Sequence, residues 1–310
     1  MKRVTGLSLL MVLFLFVLNM GCGTLKSAYR ASADATKSIT ELVIPGKGDG
    51  LRKRILVVSV INRAGIKEEE ARRITSSFAE LLRENKDFLV NLLYDVGTQD
   101  SDLSSSQYGI VIDPAIVTKA ESMGVDMLIT ATLDPFDIKT KKSGIWPFRK
   151  MKKQIDISMS MNLIDITYGT IILTDAKTTR IKANYDAAEG EDNKWNVNYE
   201  ILHKKLYSIL DDFASEIGDS LDSYSWTGKI VLREDRTIIN GGKDIGVTGG
   251  SIFEVFDKGA PIRSAEGKDY FYLGPKVAEV RADEVMDSYT VVVPVNNEQL
   301  IEGQLVRLKR

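Results

Sequence analysis

Apolar residues alternate between continuous runs and helically spaced sets over much of the chain. The run Arg54–Ile61 is rich in β-branched residues and predicts a buried central strand. Beyond it, apolar residues recur at helical spacing behind a cluster of glutamates, which suit the first turn of a helix. These apolar residues are Ala71, Ile74, Phe78, Leu81 and Leu82. The pattern therefore predicts a strand followed by an amphipathic helix.

Strand and helix patterns continue to alternate up to residue 224. The stretch "FLVNLLYDVG" predicts a second strand, and Asp113, Pro114 and Gly124 mark the two ends of a short helix. Val125–Leu133 predicts a third strand, and two more are expected around the turn "DITYGT". Tyr199–Tyr224 carries one apolar face and predicts a long helix. The order β-α-β-α-β-β-β-α indicates an α+β, α/β-like layer of sheet and helices.

The remaining residues have a different pattern. Short β-patterned segments from Gly228 onward are separated by glycine, proline and asparagine, which predicts a small C-terminal β-barrel or sandwich. The stretch "NGGKDIGVTGGS" enters a strand pattern and not a helix, so its glycines indicate turns and not a phosphate-binding loop. We expect four segments: a signal peptide at 1–21, a tether at 22–52, the sheet-and-helix domain at 53–226 and the small β domain at 227–310.

The first residues are typical of a secretory signal. Lys2 and Arg3 precede an apolar run from Leu7 to Leu18, which is too short for a transmembrane helix. Small residues flank Cys22, which is the only cysteine of the chain. Because one cysteine cannot form an intramolecular disulfide, Cys22 requires another role.

The residues around Cys22 resemble a bacterial lipobox. The resemblance implies that Cys22 carries fatty acyl chains such as palmitate and becomes the first residue of the mature lipoprotein. Gly21 fits the small residue expected before the cysteine, whereas Asn19 stands where an apolar residue is expected. Gly23, in place of an aspartate, implies an outer-membrane location facing the periplasm. The alternative is an ordinary cleaved signal with a leftover cysteine.

The net charge and the few histidine and cysteine residues limit the classes of function that this chain can have. The net charge of −2 gives no electrostatic case for nucleic acid. His203 is the only histidine, so the residues for a Ser-His-Asp arrangement or a zinc site are scarce. Asp95, Asp100 and Asp102 lie in a serine-rich loop without EF-hand spacing. We therefore expect no catalytic, metal or cofactor-binding residues and no small-molecule substrate.

Two family resemblances rest on longer stretches. Residues 53–224 resemble the CsgG and TolB N-terminal group of periplasmic domains, through "ILVVSVINRAG", "AESMGVDMLITATL" and "ISMSMNLIDITYGTIILTDAKTT". Residues 228–310 resemble the C-terminal domain of flagellar assembly protein T, through "IINGGKDIGVTGGSIFEVFDKG" and "LGPKVAEVRADEV". These resemblances imply a role in envelope assembly without catalysis, and self-association into a ring, because both relatives join ring-shaped assemblies.

A CsgG-type secretion channel is one alternative, since CsgG adds transmembrane hairpins to its periplasmic domain. The corresponding segments here carry many charges, and each charge facing lipid costs roughly 2–4 kcal/mol at the bilayer midplane. The basic residues around "GIWPF" indicate instead a hairpin tip over residues 139–153 that contacts a membrane surface or an acidic partner. Its candidate contact residues are Trp146, Phe148, Lys150, Lys152 and Lys153. A solvated loop is the other interpretation.

The sequence thus predicts a lipid-anchored periplasmic protein that binds other envelope proteins. Its expected setting is an assembly of the flagellar-ring or secretion type, with the membrane reached through the lipid on Cys22. A channel component and an enzyme of unknown class are the alternatives.

Overall fold

The fold is described from a computed structural model, which covers residues 49–94, 114–143, 147, 150–183, 199–259, 262–263, 269–270 and 272–309. The first ten elements build a layer of sheet and helices. They are β1 (Lys53–Val58), β2 (Ile61–Asn62), α1 (Glu68–Arg83), β3 (Phe88–Leu93), α2 (Pro114–Ser122), β4 (Met127–Leu133), β5 (Asp137–Ser143), β6 (Lys150–Asp165), β7 (Thr170–Ala183) and α3 (Tyr199–Asp222).

The predicted helices and strands are present in this layer, with two additions. The five apolar residues expected on one face of α1 are all buried. The helix expected from Tyr199 ends at Asp222, and the turn "DITYGT" joins β6 to β7. Two further strands, β2 and β5, extend the predicted order. The α+β class is confirmed, whereas the finer likeness to the CsgG and TolB group stays a prediction.

The sheet is mixed. Strand order is β3-β1-β4-β6, and β3 and β4 both pair with β1 in parallel. β6 is long enough to pair with two strands along one edge: β4 pairs with Met159–Asp165 and β5 with Lys150–Asp156. β7 pairs with β6 in antiparallel fashion on its other edge. The parallel part thus comes from the β-α-β units, and the antiparallel part from hairpins.

The helices cover the sheet unequally. α1 and α3 pack on one face, where the rings of Phe78 and Phe213 lie 6.4 Å apart between centroids. On the other face, Ile116 and Ala120 of α2 pack against Leu56 and Leu128. Apolar burial on both faces accounts for the continuous apolar runs of β1 and β4.

The C-terminal strands close into a barrel, which decides between the two predicted forms of this region. The elements are β8 (Gly228–Arg233), β9 (Arg236–Ile239), a 3-10 turn (Lys243–Ile245), β10 (Ile252–Lys258), β11 (Ile262–Arg263), β12 (Asp269–Tyr270), β13 (Leu273–Val285), β14 (Thr290–Pro294) and β15 (Leu305–Leu308). The closed order is β10-β13-β14-β9-β8-β15. Trp226 and Phe253 meet edge to face inside it, with ring centroids 6.3 Å apart.

Two neighbouring glycines of "NGGKDIG" allow close packing. A Cβ on Gly241 would lie 2.7 Å from the indole ring of Trp226. A Cβ on Gly242 would lie 2.5 Å from the backbone oxygens of Met286 and Asp287. Both distances are far below van der Waals contact, so the chain can pass here only without side chains.

This packing predicts that Gly242→Ala destabilises the barrel. The new methyl group would meet backbone atoms, which cannot rotate away, and the expected cost is about 1–3 kcal/mol of unfolding free energy. Gly249→Ala is the matched control, because a Cβ there meets nothing within 4 Å. Urea denaturation of both variants measures the difference, and equal stability of the two would contradict this packing.

Candidate functional site

Arg54 joins the sheet to the barrel. It is the second residue of β1, and its Nε and Nη2 donate to the carboxylate of Asp244 over 2.8 and 2.9 Å. Nη1 donates to the backbone oxygens of Asn240, over 2.5 Å, and Gly124, over 3.4 Å. Nη2 also donates to the backbone oxygen of Ser288 over 3.0 Å. All five N–H donors of the guanidinium therefore have acceptors, and four of these acceptor atoms belong to the barrel residues Asn240, Asp244 and Ser288.

Asp126 is a buried carboxyl group beside Arg54. It precedes β4, is 5% exposed, and accepts the backbone N–H of Arg54 at Oδ2 over 2.7 Å. Burial raises the pKa of Asp126 to about 7, because the Arg54 hydrogen bond and charge offset the loss of water only in part. The indole N–H of Trp226 approaches this carboxyl group without completing a hydrogen bond.

A second buried network connects the β6–β7 turn with the barrel. Arg307 of β15 donates to the hydroxyls of Thr227 and Tyr168, each over 3.1 Å. Asp165 accepts the backbone N–H of Tyr168 over 2.9 Å and the hydroxyl of Tyr224. Burial is the main cause that raises the pKa values of Asp165 and Tyr224. Turn residues are buried here because the barrel covers them.

The chain that enters β1 is held by the same surface. Leu51 is 4% exposed and belongs to the barrel core, and the backbone N–H of Arg52 donates to the Ile245 oxygen over 2.9 Å. Asp49 accepts the backbone N–H of Trp226 over 2.9 Å. Together with the two buried networks, this segment forms what we call the joint: residues 49–54, 126, 165, 168, 224–227, 244 and 307.

A cleft of about 800 Å³ opens beside the joint. Leu89 and Asn91 of β3 line one side, together with Met123, just after α2. Outward-facing residues of β8 and β9 and of the turn before β14 line the other side. The guanidinium of Arg54 reaches this cleft with its donors already occupied.

A smaller cleft of about 450 Å³ lies between α1 and α3. His203, the only histidine of the chain, lines it and forms a 2.6 Å contact from Nε2 to Oε2 of Glu70. Arg73 is also near this carboxylate, at 3.5 Å. The Glu70 carboxylate of α1 thus contacts His203 of α3, and Arg73 of α1 lies beside the same carboxylate.

Among the described residues, no group of three or more His, Cys, Asp or Glu side chains is arranged to hold a metal ion. Within the same residues, no helix is both long and apolar enough to cross a membrane.

The residues predicted to act at a membrane or partner are not tested by the structure. Cys22, Trp146 and Phe148 lie outside the described residues. Lys150, Lys152 and Lys153 lie on β6, but their side chains are not described. β5 and β6 do pair as the two arms of a hairpin, from Asp137 opposite Asp156 to Ser143 opposite Lys150. Contact of this hairpin with a membrane stays a prediction.

No family model and no curated protein matches the chain. Solved structures do match at low similarity. A PelC dodecamer from Paraburkholderia phytofirmans is 14% identical, with a TM-score of 0.31, 54% of this chain covered and 91% of that chain. Lipoprotein GNA1162 from Neisseria meningitidis is 16% identical, with a TM-score of 0.31 and coverage of 54% and 99%.

A putative neuraminyllactose-binding hemagglutinin homolog from Helicobacter pylori is 12% identical, with a TM-score of 0.36 and coverage of 56% and 86%. A minor lipoprotein from Acinetobacter baumannii also matches, at 9% identity and a TM-score of 0.25, covering 55% of this chain and 92% of that chain. These matches are bacterial proteins, two of them lipoproteins by name. Likeness at these TM-scores does not assign a function to this chain.

Replacing Arg54 by lysine tests the geometry of the joint without changing its charge. A lysine has three donors on one nitrogen and cannot hold the five acceptor contacts of Arg54, so we expect a loss of about 2 kcal/mol of unfolding free energy. Arg52→Lys is the control, because Arg52 is exposed two residues earlier. Guanidinium denaturation compares the two variants, and a loss no larger than that of the control contradicts the assigned role.

We predict that the substitution Asp126→Asn increases stability by an amount that depends on pH. The pKa of Asp126 is higher in the folded chain than its ordinary value of 3.8, so folding favours the protonated carboxyl group. The native stability from this group is complete below about pH 4 and is lost as the pH rises toward about 7.

An asparagine keeps the acceptor for the Arg54 N–H and never ionises. The unfolding free energy of Asp126→Asn relative to the wild type should therefore rise by on the order of 2 kcal/mol as the pH goes from 5 to 8. Asp235→Asn, on an exposed turn, controls for the chemical change. Thermal unfolding at both pH values measures the stability difference between the variant and the wild type. A difference that does not change with pH would refute the burial of the ionised group.

Proposed function

We propose that this protein is a lipid-anchored periplasmic scaffold of the bacterial envelope, which works by binding other proteins and not by catalysis. Acyl chains on Cys22 hold it at the outer membrane, facing the periplasm. Its setting is an envelope assembly of the flagellar-ring or secretion type, in which self-association into a ring is part of the role. A CsgG-type channel component stays the alternative.

The observation that carries this proposal is where the ionisable groups with shifted pKa values lie and which groups they contact. A catalytic acid or base must reach its substrate, and groups with strongly shifted pKa values in open clefts are candidates for that work. Here Asp126, Asp165 and Tyr224 are at most 5% exposed and bond to protein groups of the joint. Their shifted pKa values are therefore explained by the packing of the barrel on the sheet.

The surface beside the joint supports binding. The larger cleft exposes apolar side chains next to charged ones, as protein interfaces do. Because the joint fixes both sides of this cleft, a partner would meet a surface that is already in place, which lowers the cost of binding. A lipid anchor fits such a protein, since it would keep the cleft near partners at the membrane.

Labelling in bacteria with a clickable palmitate analogue tests the anchor. We expect the wild type to carry the label and to fractionate with the outer membrane, and Cys22→Ala to lose the label. Asn19→Leu is the matched control in the signal, because it restores the apolar residue of the lipobox pattern and should be labelled at least as well as wild type. A soluble, unlabelled wild-type protein would remove the attachment on which the proposal depends.

A further inference from the structure

One end of the sheet carries a dense group of basic residues. β5 pairs with the start of β6 along one edge, and the last residues of β7 pair with it along the other. We call this three-stranded end, formed by residues 137–143, 150–156 and 180–183, the basic arm. Residues 137–156 and 180–183 include nine basic residues and two acidic ones, an excess of seven, although the whole chain has a net charge of −2. Positive charge is therefore concentrated at this end of the sheet.

The pairing register places most of these basic positions on one face of the arm. Directly paired residues share a face of a sheet, and every second residue of a strand returns to that face. Lys141 of β5 pairs with Lys152 of β6. Asp156 of β6 pairs with both Asp137 of β5 and Arg180 of β7. The face that includes these residues is the lysine face, and its basic positions are Lys139, Lys141, Lys150, Lys152, Arg180 and Lys182.

The opposite face of the arm has a different composition. Ile155 of β6 pairs with Ile138 of β5 and with Ile181 of β7, and all three residues are half-buried. Lys142 and Lys153 occupy positions on this opposite face, because they alternate with the residues of the lysine face. The two faces of one arm can therefore be changed separately.

The two carboxylates of the lysine face already have cationic partners. Lys139 Nζ lies 2.6 Å from Asp137 and 3.2 Å from Asp156, and Arg180 Nε donates to Asp156 over 2.6 Å. The other paired positions of the arm are not acidic. The sequence between the arm and α3 adds four acidic residues, fewer than the arm's excess of basic ones: Asp186, Glu189, Glu191 and Asp192. The basic charge of the arm is therefore not balanced by its neighbours in the chain.

The composition of the lysine face favours a planar anionic surface as its occupant. Lys141 and Lys152 occupy directly paired positions, where like charges destabilise a sheet, and an anionic surface would remove that repulsion. The described positions of this face include no apolar residue. The centre of a protein interface is by contrast apolar or aromatic. Neighbouring strands lie about 5 Å apart, so the basic positions form a flat array that can meet many anionic groups at once.

We propose that the lysine face of the basic arm binds the anionic headgroups of the phospholipid bilayer that carries the protein's own anchor. The arm then gives the protein a second contact with the membrane, which fixes its orientation, whereas acyl chains on Cys22 fix only one point. A lipid surface, and not another polyanion, is the expected occupant because of the membrane setting, so this inference rests on the proposed function. Each basic residue near such a surface adds up to about fivefold in affinity.

Vesicle sedimentation tests this contact without the anchor. The protein is residues 23–310, which include every described residue and neither the signal peptide nor an acyl group. We expect it to sediment with vesicles of phosphatidylcholine and phosphatidylglycerol in equal parts, to be released by added salt, and not to sediment with phosphatidylcholine alone. Equal sedimentation with both vesicles, or none with either, overturns the inference. Binding to polyglutamate but not to the anionic vesicles would assign the face to an acidic protein and also overturns it.

Variants of the two faces separate the lysine face from general charge. Lys141→Gln/Lys152→Gln should weaken binding to the anionic vesicles at least about tenfold, and Lys141→Arg/Lys152→Arg, which keeps both charges, should bind like the wild type. Lys142→Gln/Lys153→Gln removes the same charge from the opposite face and should weaken binding less than about threefold. Equal losses in the two glutamine variants contradict a specific face. Palmitate labelling of Cys22 does not depend on the arm, so failure here is distinguishable from failure of the anchored scaffold.

Discussion

One guanidinium sets how the two halves of this fold meet. Arg54 sits in β1, an interior strand of the sheet, and four of its five acceptor atoms belong to barrel segments. A buried cation costs several kcal/mol unless it is paired and fully hydrogen-bonded, so these acceptors cannot move away without a large penalty. The planar fork of arginine satisfies carboxylate and carbonyl oxygens in fixed directions. The position of the barrel over the sheet follows from that requirement.

The joint explains other features that are otherwise hard to place. Trp226 fills the barrel core because the connection from α3 to β8 runs through the interface, where Gly241 leaves room for the indole ring. Asp126 and Asp165 titrate abnormally because the barrel excludes water from the strand ends. The larger cleft lies where the barrel and the edge of the sheet diverge beside the joint. The residues that line it on the sheet and on the barrel therefore have a fixed spacing.

The local pattern of apolar and polar residues was enough to predict much of the fold. The helical period of residues 71–82 and the glycine-separated strands after Gly228 predicted α1 and a small β domain, because burial on one face leaves a regular trace in the sequence. β5 was less visible, since its lysine-rich sequence carries little apolar alternation.

The site was not predictable in the same way. Arg54 and Asp244 are 190 positions apart, and no local pattern shows that they meet. Asp165 and Tyr168 have the composition of an ordinary hairpin turn, and only the barrel that covers them makes them buried. The one hint was a charged pair, Lys53 and Arg54, directly at the start of a buried apolar strand.

The central claim is that the sheet layer and the barrel form one cooperative unit through the joint. Differential scanning calorimetry of the unlipidated Cys22→Ala chain tests it most directly. The account predicts a single transition whose calorimetric enthalpy equals its van't Hoff enthalpy. Two separate transitions, one for each half, would contradict it.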